Sequence, residues 1–166
     1  IINRGEKVII WVNFIKNIHE LSVYLVDLGI GNKFIYGEIP SGSKNSLEFN
    51  YDIETRESII EDFKNTKSKF NVLIANPATM GESVSLHRCC NNAIYVERDY
   101  NAASYLQSKD RIHRKGLSED AIVNYYFLES ANSVDQSISD RLNLKIENLE
   151  SIIEHPIPLF SLAEEV

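Results

Sequence analysis

The run from Gln107 to Gly116, QSKDRIHRKG, carries the side chains best suited to chemistry. It places two arginines three residues apart, with an amide and a carboxylate beside them. At about 100° per residue on a helix, four of these side chains fall within one arc of roughly 100°: Gln107, Asp110, Arg111 and Arg114. Two rigid guanidinium forks presented together suit a multiply charged anion such as a nucleotide phosphate. Because ordinary salt bridges on a surface helix also explain a lone Arg-x-x-Arg pair, the neighbouring segments decide between the two interpretations.

Composition limits the class of protein. With 166 residues and 43% hydrophobic content, the chain is long enough for one domain with a substantial core. Its formal net charge of −7 argues against a dedicated basic nucleic-acid-binding module. A local basic strip nevertheless exists, because five of the seven residues from Lys109 to Lys115 are Lys, Arg or His.

Neither a metal site nor a membrane span is predicted. Cys89 and Cys90 are adjacent, which rarely allows a strain-free disulfide, and no Cys and His residues follow zinc-site spacing. Free cysteines fit the reducing cytoplasm, where we expect the protein. No apolar run approaches the roughly 20 residues of a membrane-spanning helix, and no secretory signal is visible. Because residues 1–4 lead directly into a strand, the sequence also indicates a piece of something longer.

Strands and helices alternate along the chain. Continuous apolar runs, typical of strands buried on both faces, predict strands over residues 7–12, 33–36, 71–75, 92–96 and 121–128. Helical spacing and capping residues predict helices over 17–28, from Thr55 onward, at 83–87, from about Ala102 to Gly116, and from Val134 towards Glu154. Residues 40–51 have no period and indicate a loop. The alternation predicts a three-layer α/β domain over residues 1–155, with a central, mostly parallel sheet covered by helices on both faces. A linker or irregular tail is expected over 156–166.

Three loops that follow predicted strands have an unusual content. In an open parallel sheet, ligands bind beyond the carboxyl ends of the strands. Asn13 and Phe14 follow the first strand, residues 76–83 the third, and residues 97–101 the fourth. A turn at Gly81 can bring backbone amides close to a phosphate ahead of the short helix at 83–87. This turn alone is a weak signal, because any strand-to-helix turn can contain Gly, and the order of the segments is more specific.

In this order, the segments resemble the second RecA-like lobe of superfamily 2 helicases, and within them the Swi/Snf-type remodelling translocases. Residues 7–14, KVIIWVNF, resemble motif IV of that family. Residues 72–86, VLIANPATMGESVSL, are similar to motif V, although the turn has fewer glycines than is usual. Residues 107–116 resemble motif VI, with Leu117 in place of the polar residue that often follows. The resemblance spans residues 7–154 and implies a RecA-like, P-loop NTPase-like fold.

The resemblance implies roles for the matching residues. Arg114 would be the arginine finger and Arg111 its companion at the γ-phosphate of ATP, where positive charge contributes on the order of 10³-fold or more to phosphoryl transfer. Gln107 and Asp110 would orient the arginines and couple the two lobes. Gly81 and Glu82 would lie between nucleic acid and nucleotide. The nucleic-acid backbone would contact residues of motifs IV and V: Asn13, Phe14, Asn76, Pro77 and Thr79.

The chain holds only half of such an ATP site. It contains no Gly-x-x-x-x-Gly-Lys-[Ser/Thr] phosphate loop and no Asp-Glu pair after a strand to hold magnesium. In this family both belong to the first RecA-like lobe. ATP and Mg²⁺ are therefore expected in an intact two-lobed protein, and neither is expected to bind this lobe tightly. The expected partners are that N-terminal lobe and the backbone of duplex DNA, and the isolated lobe is predicted to be inactive.

Two functional classes remain open. The first is the C-terminal motor lobe of an ATP-dependent helicase or double-stranded DNA translocase. The second is a non-catalytic interaction domain that keeps the helicase fold. Intact Gln107, Arg111 and Arg114 favour the motor, because a lobe without that activity has no physical reason to hold this set. The missing phosphate loop disfavours an independent nucleotide-binding enzyme.

Overall fold

Strands alternate with helices in the structure, as the sequence predicts. The computed structural model describes residues 1–42, 54–80, 84–114, 116–117 and 121–153. The strands in these residues are β1 (Val8–Trp11), β2 (Asn32–Ile35), β3 (Val72–Ala75), β4 (Asn92–Tyr95) and β5 (Asn124–Phe127). The α-helices in the same described part are α1 (Ile15–Asp27), α2 (Arg56–Lys64), α3 (Ala102–Asp110) and α4 (Val134–Ile153). Short 3₁₀ turns lie at Ile2–Arg4 and Pro77–Thr79.

The strands form one parallel sheet in the order β2-β3-β1-β4-β5. Val8 of β1 lies opposite Val72 of β3 and Asn92 of β4, so that the three central strands start at the same level. Their carboxyl ends consequently meet at one edge, called here the carboxyl edge, and the opposite edge is the amino edge. The predicted α/β class with a parallel sheet is confirmed.

Alternate residues of β1 pack into two separate cores, one on each face of the sheet. Ile9 and Trp11 belong to a core that includes Phe63 of α2, and all three are fully buried. Ile10 belongs to the opposite core, which includes the fully buried Ile18 of α1. Burying each of these side chains stabilises the fold by about 1.5–3 kcal/mol. Helices cover both faces, and the predicted three-layer arrangement is therefore confirmed.

Two helix ends show how local sequence sets the elements. The α1 helix ends at Asp27, just before the predicted stop residue Gly29, which has a left-handed φ of 72° that suits a residue without Cβ. The Gly29 amide donates to the Val26 carbonyl at 2.8 Å. The α2 helix begins with a reciprocal cap. Thr55 Oγ1 accepts from the Ser58 amide at 3.2 Å, and Ser58 Oγ accepts from the Thr55 amide at 2.9 Å.

Two helix predictions are wrong. The helix predicted to reach Gly116 ends at Asp110, and no helix covers 84–87, where an irregular segment leads into a turn at 87–89. One hydrogen bond links both differences, because the Leu86 amide donates to the Arg111 carbonyl at 2.7 Å. A further turn of α3 would need that carbonyl. Most of the predicted loop at 40–51, and the tail at 156–166, lie outside the described residues.

Candidate functional site

Three strand ends are tied together at the carboxyl edge through the backbone of Asn13. The Asn13 amide donates to Glu97 Oε2 at 2.9 Å, and the Phe14 amide donates to the same oxygen at 3.0 Å. The Asn13 carbonyl accepts from Asn76 Nδ2 at 2.7 Å. Asn17 Nδ2 of α1 donates to Glu97 Oε1. The predicted candidates after β1 and β3 are thus neighbours, and the Phe14 ring beside them is 67% exposed.

The turn after β3 is held rigidly by its own polar groups. Asn76 Oδ1 accepts from the Ala78 amide at 2.9 Å, and Thr79 Oγ1 donates to the Asn76 carbonyl at 3.0 Å. Pro77 occupies the first position of the 3₁₀ turn, where a missing amide hydrogen has no cost. Gly81 and Glu82, the next two candidates, lie outside the described residues.

The α3 helix separates the candidate residues into two groups. It begins beyond the carboxyl end of β4, where the Asn101 side chain caps it by accepting from the Ser104 amide at 3.1 Å. Nine residues at 1.5 Å each carry it roughly 13 Å back towards the amino edge, about the length of a four-residue strand. Because α3 joins two parallel strands, β4 and β5, it runs back from the carboxyl edge, and Arg111 and Arg114 follow its far end.

The two arginines do not form the single stripe that the sequence predicts. Arg111 is only 5% exposed, and its Nη1 donates to the Val84 carbonyl at 3.2 Å. Arg114 lies beyond the helix and is exposed, as are Gln107 and Asp110 on α3. The helical stripe fails because α3 ends at Asp110 once the Arg111 carbonyl is bonded to Leu86. Arg111 instead connects the end of α3 to the segment that follows β3.

Positive charge is concentrated around Arg114. Burial lowers the pKa of nearby His87, and the cations Arg88, Arg114 and Lys64 lower it further. The His87 Nδ1 shares a hydrogen bond with Ser85 Oγ at 2.6 Å. Three cations, Arg88, Arg114 and Lys64, therefore lie close enough to His87 to act on its charge.

Comparison with known proteins identifies the family. The helicase conserved C-terminal domain family matches residues 1–116, which is more than two thirds of the chain. The chain belongs to this family. The lymphoid-specific helicase of Homo sapiens is 32% identical to it over 100 residues, which cover 60% of this chain and 11% of that protein. Helicase SWR1 of Saccharomyces cerevisiae is 25% identical over 151 residues, which cover 91% of this chain and 9% of that protein. The chain thus spans about a tenth of the length of these curated relatives.

A solved structure supports the fold of this helicase C-terminal domain. The crystal structure of the C-terminal part of the Fun30 ATPase domain aligns with a TM-score of 0.67 and 23% identity. The alignment covers 85% of this chain and 40% of that one. This likeness confirms the expected RecA-like fold. The family match and the helicase relatives together confirm the expected place among Swi/Snf-type proteins of superfamily 2.

The helicase C-terminal domain contains a buried lysine that sequence reasoning missed. Lys109 is 8% exposed, and its Nζ lies 5.1 Å from the centroid of the Tyr105 ring and 5.3 Å from that of Tyr125. Burial lowers its pKa to about 8, and nearby Arg98 contributes in the same direction. The only signal in the sequence is Tyr105 four residues earlier on the same helix. The Tyr125 contact depends on the pairing of β5.

A second missed group surrounds Arg98, which follows β4. Its Nη2 donates to Glu129 Oε1 after β5 and to Ser139 Oγ of α4, the latter at 2.5 Å. Its guanidinium carbon lies 4.7 Å from the Phe127 ring centroid. These contacts fix α4 against the carboxyl edge. Among the described residues, no group of three or more His, Cys, Asp or Glu could hold a metal ion, and none of the helices is long and apolar enough to cross a membrane.

Proposed function

We propose that this domain is the second motor lobe of an ATP-driven translocase of duplex DNA, and that Arg114 is its arginine finger. Membership of the helicase C-terminal domain family supports a role in an ATPase with two lobes. The first lobe would supply the phosphate loop and the groups that hold Mg²⁺, which this chain lacks. ATP would then bind between the lobes.

The exposed guanidinium of Arg114 carries this proposal. Within the described part of the chain, its side chain forms no hydrogen bond or ion pair, whereas Arg111 is buried against Val84. Arg88 and Lys64 are cations near the same His87, but neither is proposed to meet the phosphate. A fixed cation that faces outward can meet the γ-phosphate when a first lobe closes on it, and it can stabilise the charge of the phosphoryl group during transfer.

The other candidate residues divide between two roles in this proposal. Exposed Gln107 and Asp110 lie on the last two turns of α3, where they can contact the first lobe and orient Arg114. Gly81 and Glu82 are proposed to lie between nucleotide and nucleic acid. The carboxyl edge is proposed to contact the DNA backbone through Asn13, Phe14, Asn76, Pro77 and Thr79. These side chains are mostly polar and uncharged, which suits contacts that position a duplex without reading its sequence.

Substitution of Arg114 in the full-length protein tests the proposal. Arg114→Ala should lower ATP turnover at saturating duplex DNA by on the order of 10³-fold, because the transition-state charge loses its partner. DNA affinity should change little, since Arg114 lies away from the carboxyl edge. Arg114→Lys should recover little activity, because an ammonium does not reproduce the guanidinium fork.

Arg88→Ala is the matched control, because it removes an exposed arginine from the same neighbourhood. It should retain most of the turnover. Wild-type turnover in Arg114→Ala would refute the assignment. A full-length protein with an intact first lobe and no ATP turnover would instead favour the non-catalytic interaction domain.

A further inference from the structure

We propose that Glu97 is a positioning residue for the nucleic-acid contact: its carboxylate fixes the turn between β1 and α1 so that the Asn13 and Phe14 side chains face the DNA. This inference rests on the proposed function, since it concerns the same carboxyl edge. No motif in the sequence singles out Glu97 for this role, because it lies 84 residues from Asn13.

The Glu97 carboxylate uses both of its oxygens on one turn. Oε2 accepts from the backbone amides of Asn13 and Phe14, and Oε1 accepts from the side chain of Asn17. The two amides lie at the start of α1, where backbone donors have no partner inside the helix and the helix dipole favours negative charge. Glu97 therefore occupies the place that an anion would otherwise take.

This occupancy determines which groups of the turn can contact DNA. A phosphate cannot bond to the Asn13 and Phe14 amides while Glu97 holds them, so the contact must use side chains. The Asn13 carbonyl is also engaged, because it accepts from Asn76 Nδ2 in the turn after β3 at 2.7 Å. With both backbone groups of Asn13 fixed to neighbouring strand ends, the backbone sets the direction in which the Asn13 and Phe14 side chains leave the turn, and Phe14 is 67% exposed.

Because Glu97 is negatively charged, the direction in which its substitution changes DNA affinity tests the inference. Replacing a carboxylate near a DNA path with a neutral group removes repulsion of the phosphates, and a pure charge effect therefore strengthens DNA binding. Loss of a positioned turn weakens it. The two explanations predict opposite changes for the same substitution, Glu97→Gln.

The experiment uses the full-length protein and a labelled DNA duplex. Glu97→Ala should raise the DNA concentration for half-maximal ATPase stimulation by about tenfold, because misplaced contact groups lose their geometry. Glu97→Gln should change it in the same direction but less, since one acceptor oxygen remains. The turnover number at saturating DNA should stay within about twofold, because the phosphate-facing Arg114 is distant. Asn17→Ala, which leaves the charge of Glu97 intact, should also weaken DNA binding.

Glu38→Gln is the control, because Glu38 is an exposed carboxylate that follows β2 at the same edge. It should leave DNA affinity unchanged or slightly higher. Hydrogen exchange supplies a direct readout: the Asn13 and Phe14 amides should lose protection in Glu97→Ala, while the β1 amides keep theirs.

Unchanged or tighter DNA binding by Glu97→Gln would overturn the inference, as would unchanged protection of the two amides. If Glu97→Ala does not fold, Glu97→Gln and Asn17→Ala decide the question. A wild-type protein without DNA-stimulated turnover would refute the proposed function. In that case, hydrogen exchange would still show whether Glu97 holds the turn.

Discussion

Two arginines three residues apart have opposite environments, and their substitution should have different consequences. Arg111 is buried and donates to the Val84 carbonyl, whereas Arg114 is exposed. Arg111→Ala should lower the free energy of unfolding by about 2 kcal/mol, because the hydrogen bonds of a charged donor are lost. Arg114→Ala should change it by less than about 0.5 kcal/mol. Urea denaturation of the three proteins measures this, and equal stabilities would show that Arg111 has no structural role. Its role beside the γ-phosphate stays a prediction.

Lys109 should make stability depend on pH. Its pKa falls from 10.5 to about 8 through burial, so between these values the unfolded chain holds a proton that the folded chain has released. The contribution of Lys109 to the free energy of unfolding therefore rises with pH across this window, and below pH 8 the buried charge is a cost. Burial raises the pKa of Cys90 to about 12, which lowers stability above pH 9.

The variant Lys109→Met separates the pH dependence caused by Lys109 from the opposite one caused by Cys90. The free energy of unfolding of the wild type minus that of Lys109→Met should increase as the pH rises from about 8 to 10. Urea titrations at several pH values measure it, with Lys16→Met as the comparison for loss of one positive charge on an exposed side chain. A difference that stays constant with pH would contradict the buried, low-pKa state of Lys109.

At the scale of elements, the reciprocal cap of α2 should contribute measurably to stability. Thr55 is fully buried and exchanges two hydrogen bonds with Ser58. Thr55→Ala should lower the free energy of unfolding by about 1 kcal/mol, because it leaves the Ser58 amide at the start of the helix without its hydrogen-bond acceptor. Thr66→Ala is the matched control at an exposed position and should have little effect. Chemical denaturation checks both, and equal stability of the two variants would contradict the contribution of the cap.

Elements that are specified by their own residues could be predicted from the sequence. The strand β1 is a continuous apolar run because both of its faces are buried, and α1 is followed by Gly29, which supplies the left-handed conformation that ends it. The end of α3 could not be predicted. The local pattern favours helix as far as Gly116, but the hydrogen bond from Leu86 to Arg111 overrides it, and that bond joins residues 25 positions apart.

The candidate site shows the same limit. Asn13 and Asn76 follow strands that pair with one another, so the rule for parallel sheets correctly brings them together. Glu97 follows the neighbouring strand, but the sequence contains no sign that its carboxylate points at the backbone of Asn13 rather than at solvent. The one-stripe arrangement of the arginines was wrong for a related reason. It assumed helical geometry beyond Asp110, where a long-range contact had already ended the helix.

At the scale of the whole molecule, the net charge is negative, while one group of positive side chains lies near Arg114. The net charge of −7 repels a DNA backbone at long range, while the positive groups near Arg114 lie away from the carboxyl edge. The proposed DNA contacts use polar side chains, and the two amides at the start of α1 are already bonded to Glu97. The five residues proposed to contact DNA therefore include no Lys or Arg that could neutralise a phosphate.

We accordingly expect weak DNA binding by this lobe alone. The affinity should be no better than about micromolar, and log affinity should fall with log salt with a slope of about two or three, since each neutralised phosphate adds close to one. Duplexes of unrelated sequence should bind alike, because backbone contacts carry no sequence information. Titration of labelled duplexes at several salt concentrations measures the slope and the preference together. Tight binding that survives high salt, or a clear sequence preference, would require a recognition surface other than the carboxyl edge, and the proposed contacts of Asn13, Phe14 and Asn76 would then be wrong.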